Sequence, residues 1–259
     1  DLGSGGGSYS YNIGGDGGGR IFITATDITV DGVIRANGSV AASAAGNGSG
    51  GTVNISTGSL AGDGIIQTNG GGSSGVGGGG GRIAIRYTDS MTLPEDNIEA
   101  LGDSGSNGNA GGDGTVFIKR PGQIYGDLIV DGHGITSPVD KTSISGGYTF
   151  NNVVLKNSAR INADQGLEIT GTLHVTGNSV LSHSTGNEAG LVIEASAVQV
   201  DEGSSIDVTG RGYAGGTGYN ERGRTLGNAY GSSPGAGGSF GGAGAGYESR
   251  SCGLVYGDA

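Results

Sequence analysis

Arg20-Ile-Phe-Ile, Thr52-Val-Asn-Ile, Arg82-Ile-Ala-Ile and Thr115-Val-Phe-Ile are four versions of one phrase, spaced 32, 30 and 33 residues apart, each entered from a glycine-rich stretch. The apolar pairs Ile21/Ile23, Val53/Ile55, Ile83/Ile85 and Val116/Ile118 alternate at period two, as a half-buried strand requires. A second set follows in the same phase: Asp31-Gly-Val-Ile, Asp63-Gly-Ile-Ile and Asp96-Asn-Ile. Asn37-Gly and Asn69-Gly then mark matching corners, where both residue types tolerate positive φ. Each unit reads as strand, turn, strand, turn and a glycine-rich excursion. That is one coil of a β-solenoid.

Working outward, the pattern holds over residues 1–135 with coils of about 30–33 residues. Over 136–209 glycine thins and short β-branched strands take over. Val153-Val-Leu, Leu173-His-Val and Leu191-Val-Ile recur 20 and 18 residues apart, and Ala159-Arg-Ile and Ser179-Val-Leu recur 20 apart. Compact rungs of about 18–20 residues suit a parallel β-helix; strands every 8–12 residues in an antiparallel sandwich are the alternative. The remaining 210–259 is low in complexity but holds five of the ten tyrosines, with Arg211, Arg222, Arg224 and Arg250 between them. A plain linker has no use for that apolar surface. The tail is therefore expected to pack on the coils or to join the next repeat.

Composition narrows the functional classes. Glycine makes up 62 of 259 residues, far above the usual ~7%, and it keeps no Gly-X-Y period, which excludes collagen. Only 33% of residues are hydrophobic, too few for one large core and enough for a narrow core repeated along an axis. The net charge of −11 argues against nucleic acid as a partner, and no apolar run approaches the ~18–20 residues of a membrane span. The single cysteine, Cys252, cannot close an internal disulfide. It is expected to sit buried as a small apolar residue or to bridge to a neighbouring chain. The Gly-Ser-Thr-Asn richness points to an extracellular or cell-surface product, in which Asn37-Gly-Ser, Asn47-Gly-Ser and Asn54-Ile-Ser are sequons. Without an initiator Met or signal peptide, the chain is expected to begin inside a larger or processed product. The run Gly70–Gly81, nine glycines in twelve positions, reads either as flexible coil or as side-chain-free extended strands lying close together.

Four chemistries bear on these residues. Coils in register stack Asp31, Asp63 and Asp96 about 4.8 Å apart, so their repulsion must be relieved by solvent, by backbone N–H groups or by a cation. Ca2+, taking 6–8 oxygens, is the candidate ligand of that ladder, although no Asp-x-Asp-x-Asp-Gly loop or Gly-Gly-x-Gly-x-Asp nonapeptide is present. Asp16, Asp113 and Asp131 occupy similar glycine-flanked corners. Lys156, Arg160, His174 and His183 fall on successive rungs, where a polysaccharide-cleaving β-helix would carry cations and imidazoles; outward polar positions are the simpler reading. Nucleophilic catalysis has no support, because the Gly-Ser-Gly strings do not lie between a strand and a helix. A threonine-lined ice-binding face is not formed either.

Asp1-Leu-Gly-Ser-Gly-Gly-Gly, Gly78-Gly-Gly-Gly-Arg82-Ile-Ala-Ile and Ser205-Ile-Asp-Val-Thr-Gly-Arg-Gly-Tyr-Ala-Gly-Gly resemble recurring segments of very large, glycine-rich, repetitive bacterial surface or secreted proteins. In such proteins a Tyr-Gly-Asp segment tends to precede a Leu-Gly-Ser-Gly segment; here Tyr256-Gly-Asp-Ala closes the chain and Asp1-Leu-Gly-Ser opens it. The resemblance implies one unit, or one permuted period, of a head-to-tail array, with Leu2, Cys252, Tyr256 and Asp258 at the join.

The expectation is an all-β chain forming a right-handed parallel β-helix with glycine-rich loop excursions, the hand following from strand twist and crossover preference. Its expected role is structural: a non-enzymatic repeat of an extracellular fibre, stalk or adhesin, with copies of itself as partners. The alternative is a carbohydrate-binding or polysaccharide-lyase-like β-helix module, which would need a flank groove lined with tyrosine and basic residues.

Overall fold

The computed structural model describes residues 1–72, 75–105, 109–135, 142–144 and 146–246. Cys252, Tyr256 and Asp258 lie outside them. The chain divides into two compact units: Asp1–Ser182 with Leu191–Asp207, and His183–Gly190 with Val208–Ala259. In chain order the first unit contains β1 Arg20–Thr29, β2 Val33–Arg35, β3 Thr52–Ala61, β4 Ile65–Gln67, β5 Arg82–Met91, β6 Ile98–Glu99, β7 Thr115–Lys119, β8 Asp127–Asp131, β9 Thr142–Ile144, β10 Thr149–Phe150, β11 Val153–Lys156, β12 Arg160–Ala163, β13 Leu167–Val175, β14 Val180–Ser182, β15 Ile193–Val200 and β16 Ser205–Ile206. The second unit contains the short antiparallel pair β17 Arg224–Thr225 and β18 Ala229–Tyr230. Among the described residues no helix is long and apolar enough to cross a membrane.

The chain is all-β, and its strands pair mostly in parallel. The four quoted phrases become β1, β3, β5 and β7, hydrogen-bonded in that order and in the register that the repeats imply, with Ile21 beside Val53, Ile83 and Val116. β2, β4 and β6 form a second parallel sheet that keeps step with the first, Ile34 beside Ile66 and Ile98. Inward rows of β-branched residues therefore stack one strand spacing apart. Val53, Ile55, Leu60 and Ile66 are completely buried in the resulting core, each worth roughly 1.5–3 kcal/mol of transfer energy.

The described residues of the excursions make regular hydrogen bonds. Between the strands the glycine arms run extended, and their hydrogen bonds have a period of three. Along residues 46–51, Gly46 and Ser49 donate to Gly7 and Ser4, Asn47 and Gly50 to Val76 and Gly79 of the next coil, and Gly48 and Gly51 to Ser39 and Ala36 of the adjoining arm, at 2.7–3.0 Å. A neighbour met again every third residue is the signature of a polyproline-II-like chain, which makes no internal hydrogen bonds and offers its whole backbone to its surroundings. The arm donates to three such neighbours and accepts from others, Gly15 and Gly18 on the Gly46 and Ser49 carbonyls and Gly71 on that of Gly48, and the spacing at its glycines leaves no room for a side chain. A Cβ on Gly48 would overlap the Asp16 carbonyl, and one on Gly78 would overlap that of Gly48. Asn37 and Asn69 do not supply positive φ at the corners. Each instead caps the coil above: Asn37 Oδ1 accepts from the Asn69 backbone N–H and Asn69 Oδ1 from that of Leu101, both at 2.9 Å.

The simple climb is interrupted once. Arg120-Pro-Gly-Gln forms a turn closed by the Gln123 N–H on the Arg120 carbonyl (3.2 Å), with Gly122 at φ +78°, the Pro-Gly pattern of a type II turn. β8 consequently runs antiparallel to β7, while β8, β11, β13 and β15 continue the same sheet parallel to one another. The core changes sides as well. Val116 and Ile129, opposite one another, face the first core, whereas Phe117 and Leu128 face a second core built on Val153, Leu155, Ile161, Leu173 and Leu181. This change of direction falls ahead of residue 135. In the second set Leu173 pairs with Val153 as the 20-residue spacing predicts, but the following partners are Val198 and, for Leu167, Ile193. Leu191-Val-Ile is not the next in-phase strand, because residues 183–190 leave the coil and β13 bulges between Ile169 and Thr172.

The glycine packing makes a direct prediction. Gly48→Ala or Gly78→Ala is expected to lower thermal stability by at least the roughly 1–3 kcal/mol of an overpacked core. Gly19→Ala, where an added methyl meets nothing within 4 Å, should be neutral or slightly stabilising. Melting followed by circular dichroism separates the two classes.

Candidate functional site

The Pro121-Gly122 reversal ends one core and starts the other, and each end leaves an opening beside the shared sheet. Arg120 pins the turn. Its guanidinium bridges Glu95 and Asp127, and although burial works against the charge, those two carboxylates raise its pKa. Asp127, itself buried, also accepts from Gln123 Nε2 (3.0 Å) and from the backbone and side-chain nitrogens of Asn152 (3.0 and 2.8 Å).

On the first-core side lies a cleft of about 370 Å3, floored by Val116, Ile118 and Ile129 and rimmed by Glu95, Asp96, Glu99, Asp131, His133 and Lys156. Lys156 Nζ reaches Asp131 at 3.2 Å and Asp96 at 3.4 Å. Burial opposes its charge, but Asp131 and then Asp96 outweigh burial and raise its pKa. Glu99 accepts from Gln67 Nε2 (3.0 Å) and Asn69 Nδ2 (3.1 Å). The rim is thus a set of internally satisfied charges.

On the other side lies a groove of about 600 Å3. Arg82 and Arg86 project from the outward face of β5; Phe117, Leu128 and Phe150 form the floor; Tyr125 and Tyr148 stand at the edge. The Arg86 guanidinium lies over the Phe117 ring at 5.2 Å and donates to Asn54 Oδ1 at 3.2 Å. Tyr148 and Phe150 meet as a tilted pair with centroids 6.4 Å apart. Asn151 Oδ1 accepts from the backbone N–H groups of Tyr125 (3.0 Å) and Gly126 (2.8 Å), which fixes Tyr125. Gly126, at φ +116°, allows the Phe117 ring to lie against its backbone. No carboxylate lines the groove among the described residues.

The sequence-derived candidates scatter. Asp31, Asp63 and Asp96 all lie exposed at the entries to β2, β4 and β6. Counting back from the Ile66–Ile98 pair, the residue level with Asp63 is Glu95, because the single 3-10 turn Glu95–Asn97 after Pro94 sets Asp96 one place on. Arg120 on Glu95 and Lys156 on Asp96 supply positive charge to this last rung. Among the described residues no three His, Cys, Asp or Glu side chains converge as a metal ion requires. Leu2 is exposed. Lys156, Arg160 and His174 do not share a flank, and His183 belongs to the second unit. Lys156 turns into the acidic cleft, Arg160 lies on the other sheet, His174 Nε2 meets Asp201 Oδ2 at 2.8 Å, and His183 is buried with Nδ1 2.8 Å from the Ser184 carbonyl. Hydrogen bonds from Thr176, Gln199 and His174 hold the Asp201 carboxyl down at about 2.

Neither opening was foreseen from the sequence, although Pro121-Gly122 between two apolar runs is a turn signal. No family model, curated protein or solved structure matches the chain.

One half-buried acid yields a pH prediction. Burial pushes the Asp113 carboxyl from 3.8 up to about 7; the Arg160 backbone N–H opposes the shift and the Asp131 charge adds to it. Between those two values the folded chain holds a proton that the unfolded chain has released, so this group's contribution to stability falls as pH rises through the window. Asp113→Asn is therefore expected to flatten the loss of melting temperature between pH 5 and pH 8 relative to the unsubstituted chain. An unchanged slope would show that Asp113 ionises freely.

Proposed function

We propose that the chain is a structural repeat of an extracellular fibre, stalk or adhesin, stacked head to tail on neighbouring repeats or copies and wound as a right-handed parallel β-helix. The observation that carries this reading is the state of the end strands. β1 continues the inward rows of the first core, yet Ile21, Ile23 and Ile28 are only partly buried, where Val53, Ile55 and Leu60 behind them are fully buried. At the other end of the sheet, β15 leaves Val198 and Val200 51% and 43% exposed. Half-covered apolar rungs beside an edge that no strand among the described residues pairs are what another coil covers.

Two features support the winding. The direction reversal between β7 and β8 and the exchange of core face cancel, so both sets of coils turn in one sense. Strand twist and crossover preference favour the right hand for that sense. The glycine arms suit an exposed extracellular role, because their backbone groups are occupied by one another and offer a protease little free chain. This function needs no catalytic group.

A covalent tandem of two copies is expected to melt as one transition above the single copy, because the joint covers both end strands. Calorimetry reads the outcome directly. Two independent transitions at the single-copy temperature would sink the head-to-tail reading.

A further inference from the structure

We propose that the groove beside the β7–β8 reversal binds an anionic polysaccharide, through its carboxylates on Arg82 and Arg86 and its sugar rings on Tyr125, Tyr148 and Phe117. This goes beyond the structural role: it assigns the chain a ligand as well as a shape.

The charge argument comes first. The protein carries −11 overall, yet among the described residues this groove is lined by two arginines and no carboxylate. Neither arginine takes part in an ion pair among the described residues. The acidic cleft on the opposite face shows the contrast, since its lysine is already held by Asp131 and Asp96. Guanidinium groups present a planar fork that matches a carboxylate bidentately, and Arg86 is held by Phe117 and Asn54 in one position. Its location is built rather than left to a mobile side chain.

The second argument concerns the rings. Tyr148 is 62% exposed and Tyr125 40% exposed, although both belong to a wall anchored by buried Phe150 and Leu128. Aromatic faces with a polar tip give an apolar platform beside hydrogen-bonding capacity. A pyranose ring asks for that combination, C–H groups on one face and hydroxyls at its edge. A volume of about 600 Å3 falls within the usual ~300–1,000 Å3 range for ligand sites and accommodates a few sugar rings. Phosphodiester polymers are the competing anions. Two arginines on a strongly acidic chain do not provide the basic track that such polymers use.

The test is affinity electrophoresis of the purified chain through gels containing polygalacturonate, dextran or polyphosphate. Polygalacturonate is expected to retard the protein, while dextran and polyphosphate leave it unmoved. The Arg82→Gln/Arg86→Gln double variant should weaken retardation by about tenfold or more, the worth of a hydrogen bond to a charged group, and Tyr148→Ala should weaken it measurably through loss of the ring platform. Arg35→Gln, an exposed arginine on β2 outside the groove, should bind as the unsubstituted chain does, and unchanged melting temperatures would show that the groove variants are folded. Equal retardation by polyphosphate, retardation by dextran alone, no retardation by polygalacturonate, or groove variants that bind normally would each overturn the proposal.

Discussion

Everything in the first set of coils depends on backbone meeting backbone with nothing between. An arm such as residues 46–51 uses successive N–H groups on three different neighbours, and each neighbour is close because glycine faces it. A sheet satisfies its backbone in two directions and reserves the third for side chains. Here the directions that Gly46, Gly48, Gly50 and Gly51 face are taken by peptide groups, so much of the stability that side chains give elsewhere comes from hydrogen bonding and close contact. Ordering glycine costs more entropy than ordering any other residue. That cost is acceptable only where each ordered residue gains a hydrogen bond and a packed neighbour, and the arms are arranged to provide both.

This division of labour explains the thin hydrophobic content. The apolar rows Ile21–Val53–Ile83–Val116 and Ile34–Ile66–Ile98 fill one narrow core, and the excursions bury small apolar side chains such as Ala41, Ala45 and Ala110. The asparagines at the corners join the two regimes. Asn37 and Asn69 stand where β2 and β4 give way to the arms, and each side chain caps the coil above it.

Much of the fold was legible because the period-two alternation of Ile and Val survives four times at nearly constant spacing, so register followed from alignment alone. The ordered arms were legible as one of two alternatives, since a glycine run reads the same whether it is loose or packed. The reversal at Pro121-Gly122 is hidden in the repeat pattern. Thr115-Val-Phe-Ile matches its predecessors, and the local cue is two residues long. The change of core face was hidden too, because Phe117 has to be read as serving the second core while Val116 and Ile118 serve the first. The groove gathers Arg82, Phe117, Tyr125 and Tyr148 from segments far apart in sequence, and only the reversal brings them together. The acidic ladder failed in register for a smaller reason, one 3-10 turn after Pro94.

The reversal also bears on how repeats can join. β1 and β15 lie at opposite ends of the shared sheet and, because β7 and β8 are antiparallel, they run in opposite directions. If copies related by simple translation stack as proposed, β15 of one meets β1 of the next antiparallel, with their inward faces on opposite sides of the sheet. Those are the two conditions met at the β7–β8 joint. The internal reversal is then a copy of the joint between repeats, and a chain of such units alternates core faces along one continuous sheet. A solenoid of uniform direction would present a single flank throughout. This arrangement opens the sheet's side regularly, and places an opening such as the Arg82/Tyr148 groove at a fixed interval along the array.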